Sequence, residues 1–292
     1  LDKYMMVRTA QDANLKIPES NSKLHAVEMT KEQKQVYETL RAEAAELDTL
    51  RAEIDRLDQE LVERIHARSK VAMAIGEVKK RYSDSPVFLR PGREASMLRR
   101  AAEKHGDHPF PASSLLRIWR EIIPAVTSLE GNLSLAIEED EAAVAREHAQ
   151  VHYAVSLERR HFPDRDAVAA AVLSGEFTLG IIRADINDPA WWQQITTPDA
   201  SGRRLHVILQ LPFIDGPVGG IPRDKAWVLA AFEPEASGAD ISRVLVTTDA
   251  GLEIHEISGD DSVVPSWAAA QGYAPEQVHV LGFYPEAVQL KA

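Results

Sequence analysis

The chain has 292 residues, 45% hydrophobic and 27% charged, a length and composition that favour two folded domains over one. It contains no cysteine, which excludes disulfides, thiolate metal sites and cysteine nucleophiles. Its formal charge of -12 argues against nucleic acid or an anionic membrane as partner, because phosphate binding is driven by lysine and arginine.

Residues 1–28 are polar and show no period. They are expected to be a flexible leader, or an upstream stretch of translation ahead of Met29, and are left out of fold reasoning. They carry no apolar signal core, and no apolar run in the chain approaches membrane-spanning length. A soluble, cytoplasmic protein is therefore expected. Thr30-Lys31-Glu32-Gln33 matches a capping box and predicts a helix start. From there to about residue 81 there is no proline and a single glycine, Gly76. Apolar residues recur with helical spacing at Leu47, Leu50, Ile54, Leu57, Leu61, Ile65, Ala72 and Ile75. A helix of about 50 residues would be roughly 75 Å long at about 1.5 Å per residue. That is too long for a compact domain of this size, so its stripe calls for a partner chain.

Pro86 ends this segment and a loop runs to about Pro91. A short helix is predicted from 92 to about 104, and 105–111 is a turn cluster. Ser113 or Ser114 would cap a third helix running to about Glu130, with Leu115, Trp119, Ile123 and Val126 on one side and a kink at Pro124. Gly131-Asn132 breaks that helix. Beyond it, 133–137, 151–155, 179–182, 205–211, 226–232, 244–247 and 278–283 read as short strands, with a helix at 166–174 among them. The predicted fold class is α+β: an all-helical three-helix domain over 29–131, followed by a smaller α/β domain over 132–292.

Several charges stand where a core should be. At 100° per residue, Arg68 and Lys79 fall within about 20° of each other in the middle of the first helix's apolar stripe, and Arg51 lies at its edge. An unpaired cation facing a core demands a partner. One isolated arginine or lysine reads as a structural salt bridge or a snorkelling side chain. Two on one line, with a third at the border, read as a binding site. The second helix opens with Arg93-Glu94, and Glu130 continues the line of Trp119 and Val126 in the third. Each helix thus points charge inward, and the cations outnumber the acids. A small dianion would satisfy such a pocket, since the arginine fork donates two parallel hydrogen bonds to a carboxylate. The histidines do not fall at metal-ligand spacing, and no nucleophile elbow or P-loop occurs. The glycine-rich stretch 216–220 lacks the lysine and hydroxyl of a phosphate cradle and reads as a turn. No cofactor or metal is expected.

Leu50-Arg51-Ala52-Glu53-Ile54-Asp55, then Leu57-Asp58, Ala67-Arg68 and Ile75-Gly76-Glu77-Val78-Lys79, resemble the first helix of the all-helical chorismate mutases. Pro86-Val87, Arg93-Glu94 and Arg117-Ile118-Trp119-Arg120-Glu121-Ile122-Ile123 continue the resemblance, which covers roughly 45–131 and extends to the mutase half of bifunctional chorismate mutase–prephenate dehydratases. It implies an isomerase that converts chorismate to prephenate in phenylalanine and tyrosine biosynthesis. It also implies an intertwined homodimer whose two active sites each borrow an arginine from the partner. By position, Arg51 resembles that crossing arginine, Arg68 the arginine that holds a carboxylate within its own subunit, and Lys79 the lysine that reaches the ether oxygen. Arg93 falls at another site arginine, Glu94 resembles the acceptor of the substrate hydroxyl, and Glu130 falls at the second donor to the ether oxygen. As a donor Glu130 must be protonated, so activity is expected to fall above neutral pH; a solvated helix-end carboxylate is the equal alternative reading of Glu130.

Three positions depart from the family pattern. The loop Phe88-Leu89-Arg90-Pro91 is one residue longer and sets Arg90, read as a loop charge, near the place of an aspartate. Val126 replaces a common serine, and Pro124 is unusual. The second domain resembles prephenate dehydratase at Phe162-Pro163, Ser174-Gly175-Glu176 and Gly180-Ile181-Ile182. The family's Thr-Arg-Phe motif is matched by Asp224-Lys225-Ala226-Trp227, without the threonine, and Val280-Leu281-Gly282-Phe283-Tyr284-Pro285 resembles the end of a regulatory module. The expectation is a domain without dehydratase activity. Two rival readings stand beside the mutase: a non-catalytic regulatory and dimerisation protein derived from the bifunctional enzyme, and an isochorismate pyruvate lyase on the same fold.

Overall fold

The computed structural model describes residues 28–82, 88–184, 188–200, 202–215 and 224–290. Residues 1–27, the loop around Pro86 and the glycine-rich stretch 216–220 lie outside the described residues. The chain forms two compact units, Leu1–Leu61 and Val62–Ala292. Helix α1, Lys31–Tyr82, begins in the first and ends in the second. Its capping box forms as the sequence predicts: Gln33 N–H donates to Thr30 Oγ1 at 3.3 Å, and Thr30 N–H donates to Gln33 Oε1 at 3.0 Å. Every described residue of the first unit is exposed. Leu47, Leu50, Ile54, Leu57 and Leu61 are 45–62% accessible, an apolar stripe left uncovered in the single chain.

The second unit joins the end of α1 to α2 (Pro91–His105), α3 (Ala112–Glu130) and an α/β layer. α2 starts with proline in its first turn, where a missing N–H costs nothing, and stops at Gly106 with φ +56°. α3 begins a residue before the serines predicted to cap it. Pro111 is the N-cap residue and no side chain caps the helix. It continues through Pro124 to Glu130.

Among the described residues the sheet has eight strands, in the order β2-β1-β3-β6-β4-β9-β7-β8. They are β1 (Ser134–Glu138), β2 (Glu158–Phe162), β3 (Leu179–Arg183), β4 (His206–Leu211), β6 (Ala226–Ala230), β7 (Asp240–Thr248), β8 (Gly251–Ser258) and β9 (Val278–Pro285). A separate pair joins β5 (Ile214–Asp215) to β10 (Val288–Gln289). β2, β1 and β3 are parallel, whereas β3–β6, β6–β4, β9–β7 and β7–β8 are antiparallel. The central strands are apolar throughout because both faces are covered. Leu135, Ile137, Leu179, Ile181 and Val228 face one core, and Ala136, Ile182, Trp227 and Leu229 face the other.

Helices α5 (Arg165–Leu173) and α6 (Pro189–Thr196) fill the second core. α4 (Val144–His152) covers the first together with α2 and α3, through Ala95, Leu98, Leu116 and Ile123. The two helices that follow α1 therefore share one hydrophobic core with the sheet. α7 (Val264–Gln271) closes a smaller cluster with Val244, Val246 and Ile257.

The α+β class is as expected. The strand predicted at 151–155 is the end of α4 and the turn after it. Asp140 accepts from Val144 N–H and Ala145 N–H at 3.0 and 3.1 Å, and Ala145, His148, Ala149 and His152 are buried on helical spacing. The β propensity of Val151 and Tyr153 loses to that cap and stripe.

Candidate active site

Three helices bring the inward charges together. Gly76 of α1 lies against α3 so closely that a Cβ there would sit 2.6 Å from the Glu130 carbonyl oxygen. That approach lets Lys79, one turn further on, reach across. Its Nζ donates to Glu130 Oε2 at 2.9 Å, with the two side chains 25% and 14% exposed, and lies 3.5 Å from the Phe88 carbonyl oxygen. One turn of α1 and the last turn of α3 thus fix an ion pair beside the Phe88 ring, whose centroid is 5.4 Å from the ammonium.

Arg68 is half-buried, with its Cζ 6.0 Å from the Trp119 ring centroid. Its Nη1 is buried and has no hydrogen-bond partner among the described residues. Burial lowers the Arg68 pKa, the charges of Glu130 and Glu94 oppose that, and Arg93 adds to it. A desolvated donor without an acceptor is costly, so the arrangement favours an anion at that spot. Arg68, Lys79, Arg93, Glu94 and Glu130 line one cleft of about 230 Å³, with Ile75, Ile123 and Val126 as its apolar wall. That volume lies below the about 300–1,000 Å³ usual for drug-sized ligands.

Glu94 has the most perturbed carboxyl of the set. Desolvation pushes it up to about 7 despite the opposing charges of Arg120 and Arg68, and Glu130 adds to the rise.

Of the six residues singled out in the sequence, five line this cleft. Arg51 lies in the first compact unit, exposed, with Nη1 3.3 Å from Asp48 Oδ1. Arg90 also borders the cleft, but its guanidinium is held by Glu235: Nε donates to Oε2 at 2.7 Å and Nη2 pairs with the same oxygen. Glu235 also accepts from Arg93 N–H at 3.3 Å, and Gly92 lies against its carbonyl, where a Cβ would come within 2.5 Å. The segment between β6 and β7 thus holds the start of α2 and answers the loop charge that the sequence left open.

A model of the family described as "Chorismate mutase type II" matches residues 50–131. The chain is 40% identical over 75 residues to the intracellular chorismate mutase of Mycobacterium tuberculosis, a match covering 26% of this chain and 70% of that one. The chain belongs to the chorismate mutase family. It is also 40% identical over 95 residues to a bifunctional chorismate mutase/prephenate dehydratase of Aquifex aeolicus, covering 31% of this chain and 25% of that protein. With the bifunctional protein of Stutzerimonas stutzeri it shares 28% identity over 144 residues, 48% of this chain and 39% of the other. The chain thus spans between a quarter and two-fifths of the length of these bifunctional relatives. No helix among the described residues is long and apolar enough to cross a membrane.

The mutase-matched segment contains every cleft residue named above. It also contains one that the sequence reading passed over. Arg120 is only 6% exposed, on the buried stripe of Leu116, Ile123 and Thr127. It borders a second, small cavity of about 20 Å³ together with Glu94, His152 and Tyr153. The signal was present: the spacing argument that picks out Arg68 on the first helix picks out Arg120 on the third, four residues from Leu116 and three from Ile123. The cleft presents cationic donors and two carboxyls held by rigid helices. It is suited to gripping an anion and stabilising negative charge that develops in place.

Proposed function

We propose that this chain is a chorismate mutase, converting chorismate to prephenate. The observation that carries the reading is the placement of Arg68, with a buried and unpartnered donor, in one small cleft with Lys79, Glu94 and Glu130. The reaction breaks the ether C–O bond and forms a C–C bond within one molecule, so no base, nucleophile or cofactor is needed. What accelerates it is a hold on the folded conformer and fixed donors at the oxygen on which charge builds. Arg68 grips one carboxylate. Lys79 donates to the ether oxygen, and Glu130 is the second donor to it. Glu94 accepts from the substrate hydroxyl, and Arg93 adds positive potential at the cleft's edge.

The second carboxylate is gripped by Arg51 of a partner copy, which makes the functional unit a homodimer with shared sites. The uncovered stripe of Leu47, Leu50, Ile54, Leu57 and Leu61 supports this, because an apolar helical face of that extent is stable only when another surface covers it. We assign the chemistry to residues 29–131. Residues 132–292 serve as a scaffold without dehydratase activity, since Asp224-Lys225-Ala226 stands where the threonine of the Thr-Arg-Phe motif is needed. The cellular setting proposed is the cytoplasm.

The test is incubation of the full chain with chorismate and identification of the product. Prephenate supports the reading. An unconsumed substrate supports the regulatory alternative, and pyruvate release from isochorismate supports the lyase.

A further inference from the structure

Arg120 has no part in the reaction as described above, and its surroundings are unusual. It is buried at 6% exposure on α3, and neither Nε nor Nη2 has a hydrogen-bond partner among the described residues. Its guanidinium lies 5.5 Å from the Phe213 ring centroid, on the side of α3 that packs toward the sheet. Glu94 borders both the substrate cleft and the small cavity that Arg120 lines. The Glu94 carboxyl thus lines both the substrate space and the cavity that a buried cation borders.

That cavity is no second ligand site. Its volume of about 20 Å³ admits about one water molecule and no organic group. A cation kept there at a desolvation cost acts on what is already present. We propose that Arg120 is a positioning residue for Glu94: a fixed charge behind the carboxylate that keeps it ionised and available to the substrate hydroxyl. The hydroxyl's part in this rests on the mutase reading, whereas the coupling of Arg120 to Glu94 rests on their shared cavity alone.

The groups around Glu94 support the assignment. α1 contributes Arg68, α2 contributes Arg93, and α3 contributes Glu130 and Arg120. α4 and the residue after it contribute His152 and Tyr153, with His148 near Arg120. Burial and the Arg120 charge both lower the two histidines, which leaves them neutral near pH 7. The Tyr153 hydroxyl is pushed up by burial and by Glu94, so it stays protonated. Arg120 itself is lowered to about 9 by burial and remains charged at neutral pH. Among the charges opposing the desolvation of Glu94, Arg120 ranks ahead of Arg68. A dianionic substrate entering the cleft would push Glu94 further toward its protonated form, in which it loses acceptor strength. The cation on the far side is then the group that resists.

The experiment uses the full chain labelled selectively with carboxyl-¹³C glutamate, with the Glu94 signal identified by its loss in Glu94→Gln. Replacing Arg120 by methionine should raise the Glu94 titration midpoint by about one unit or more, whereas Arg120→Lys should keep it near wild type. In parallel, the acid limb of the pH profile of kcat/KM for chorismate should move up by the same amount in Arg120→Met and return in Arg120→Lys. A purely structural role would lower stability and leave both midpoints in place. An unchanged Glu94 midpoint in folded Arg120→Met overturns the proposal. If Arg120→Met does not fold, Arg120→Gln carries the test. Failure of both neutral variants to fold also overturns it, because a buried charge that serves only Glu94 is replaceable by a packed neutral side chain. If the wild-type chain leaves chorismate untouched, the mutase reading fails while the titration still decides the coupling.

Discussion

At the residue scale, the two carboxyls of the cleft have different parts. Glu94 has a folded-state pKa of about 7 against an ordinary 4.5, so the folded chain holds that proton more tightly than the unfolded chain. Stability therefore declines as pH rises from about 4.5 to about 7, by up to a few kcal/mol from this group. Glu94→Gln should flatten that decline, which denaturant unfolding at a series of pH values would detect. A mutant whose stability still falls in parallel with wild type across the window would show that Glu94 does not titrate there. Glu130 stands in our reading as the second donor to the ether oxygen, so Glu130→Gln, which keeps a donor there, should retain turnover, whereas Glu130→Ala should lower it by about 100-fold. Equal turnover in Glu130→Ala and wild type would remove Glu130 as the donor.

These residues were legible because helical spacing converts sequence distance into direction: Arg68 and Lys79 are 11 residues apart and share a line. Arg90 was not resolvable in the same way. Its partner, Glu235, lies 145 residues away in sequence, beyond the reach of any local pattern. Arg120 was legible in principle but lay on a stripe of α3 that the reading did not follow.

At the element scale, the close contact of α1 with α3 sets the site. A methyl group at Gly76 would meet Glu130 backbone atoms at 2.6 and 2.7 Å, so one helix must give way. Gly76→Ala should destabilise the chain by about 1–3 kcal/mol and cut turnover more than it weakens substrate binding, because the Lys79–Glu130 geometry loosens. Thermal unfolding beside steady-state kinetics checks this, and a stable mutant with unaltered turnover would deny the contact its role.

α1, α2, α3 and α5 were readable from caps, breakers and period, and the buried strands from continuous apolar runs, whereas α4, α6 and α7 were not placed. Nor were the edge strands. β2 is Glu158-Arg159-Arg160-His161-Phe162, charged because it protects an open edge, and so it carries no strand composition. β8 alternates Leu252 and Ile254 with Glu253 and His255 and pairs with β7 across a two-residue turn at Asp249-Ala250. The alternation is present but short and polar, and it yields a strand only once β7 is there to pair with it.

At the scale of the whole molecule, α2 and α3 bury Ala95, Leu98, Leu116 and Ile123 in the same core as the first sheet face. Arg99 is tied to Ser237 Oγ at 3.0 Å, to the Ala239 carbonyl at 2.9 Å and to the Glu286 carbonyl at 2.8 Å. Position along the sequence separates the helices from the strands, yet packing joins them. No sequence pattern reports such a union, because both partners look like ordinary buried faces. Conversion of prephenate to phenylpyruvate should not exceed the spontaneous rate, and a rate above it would restore a catalytic role to residues 132–292.

The shared-site dimer makes its own prediction. Arg51→Ala and Lys79→Ala should each be nearly inactive. Mixed and allowed to exchange subunits, they should regain about a quarter of wild-type activity, since half of the dimers would be mixed and each would hold one intact site. Light scattering that finds a monomer at assay concentration, or a mixture that stays inactive despite exchange, would rule sharing out.

The central claim, that cations set into the apolar face of α1 exist to hold a reacting dianion, is tested most directly by the kcat/KM for chorismate of the wild type and of Lys79→Ala, each with its unfolding midpoint. The account predicts prephenate formation by the wild type and a loss of at least about 100-fold in Lys79→Ala with the fold retained. Equal rates in the two folded proteins would contradict it.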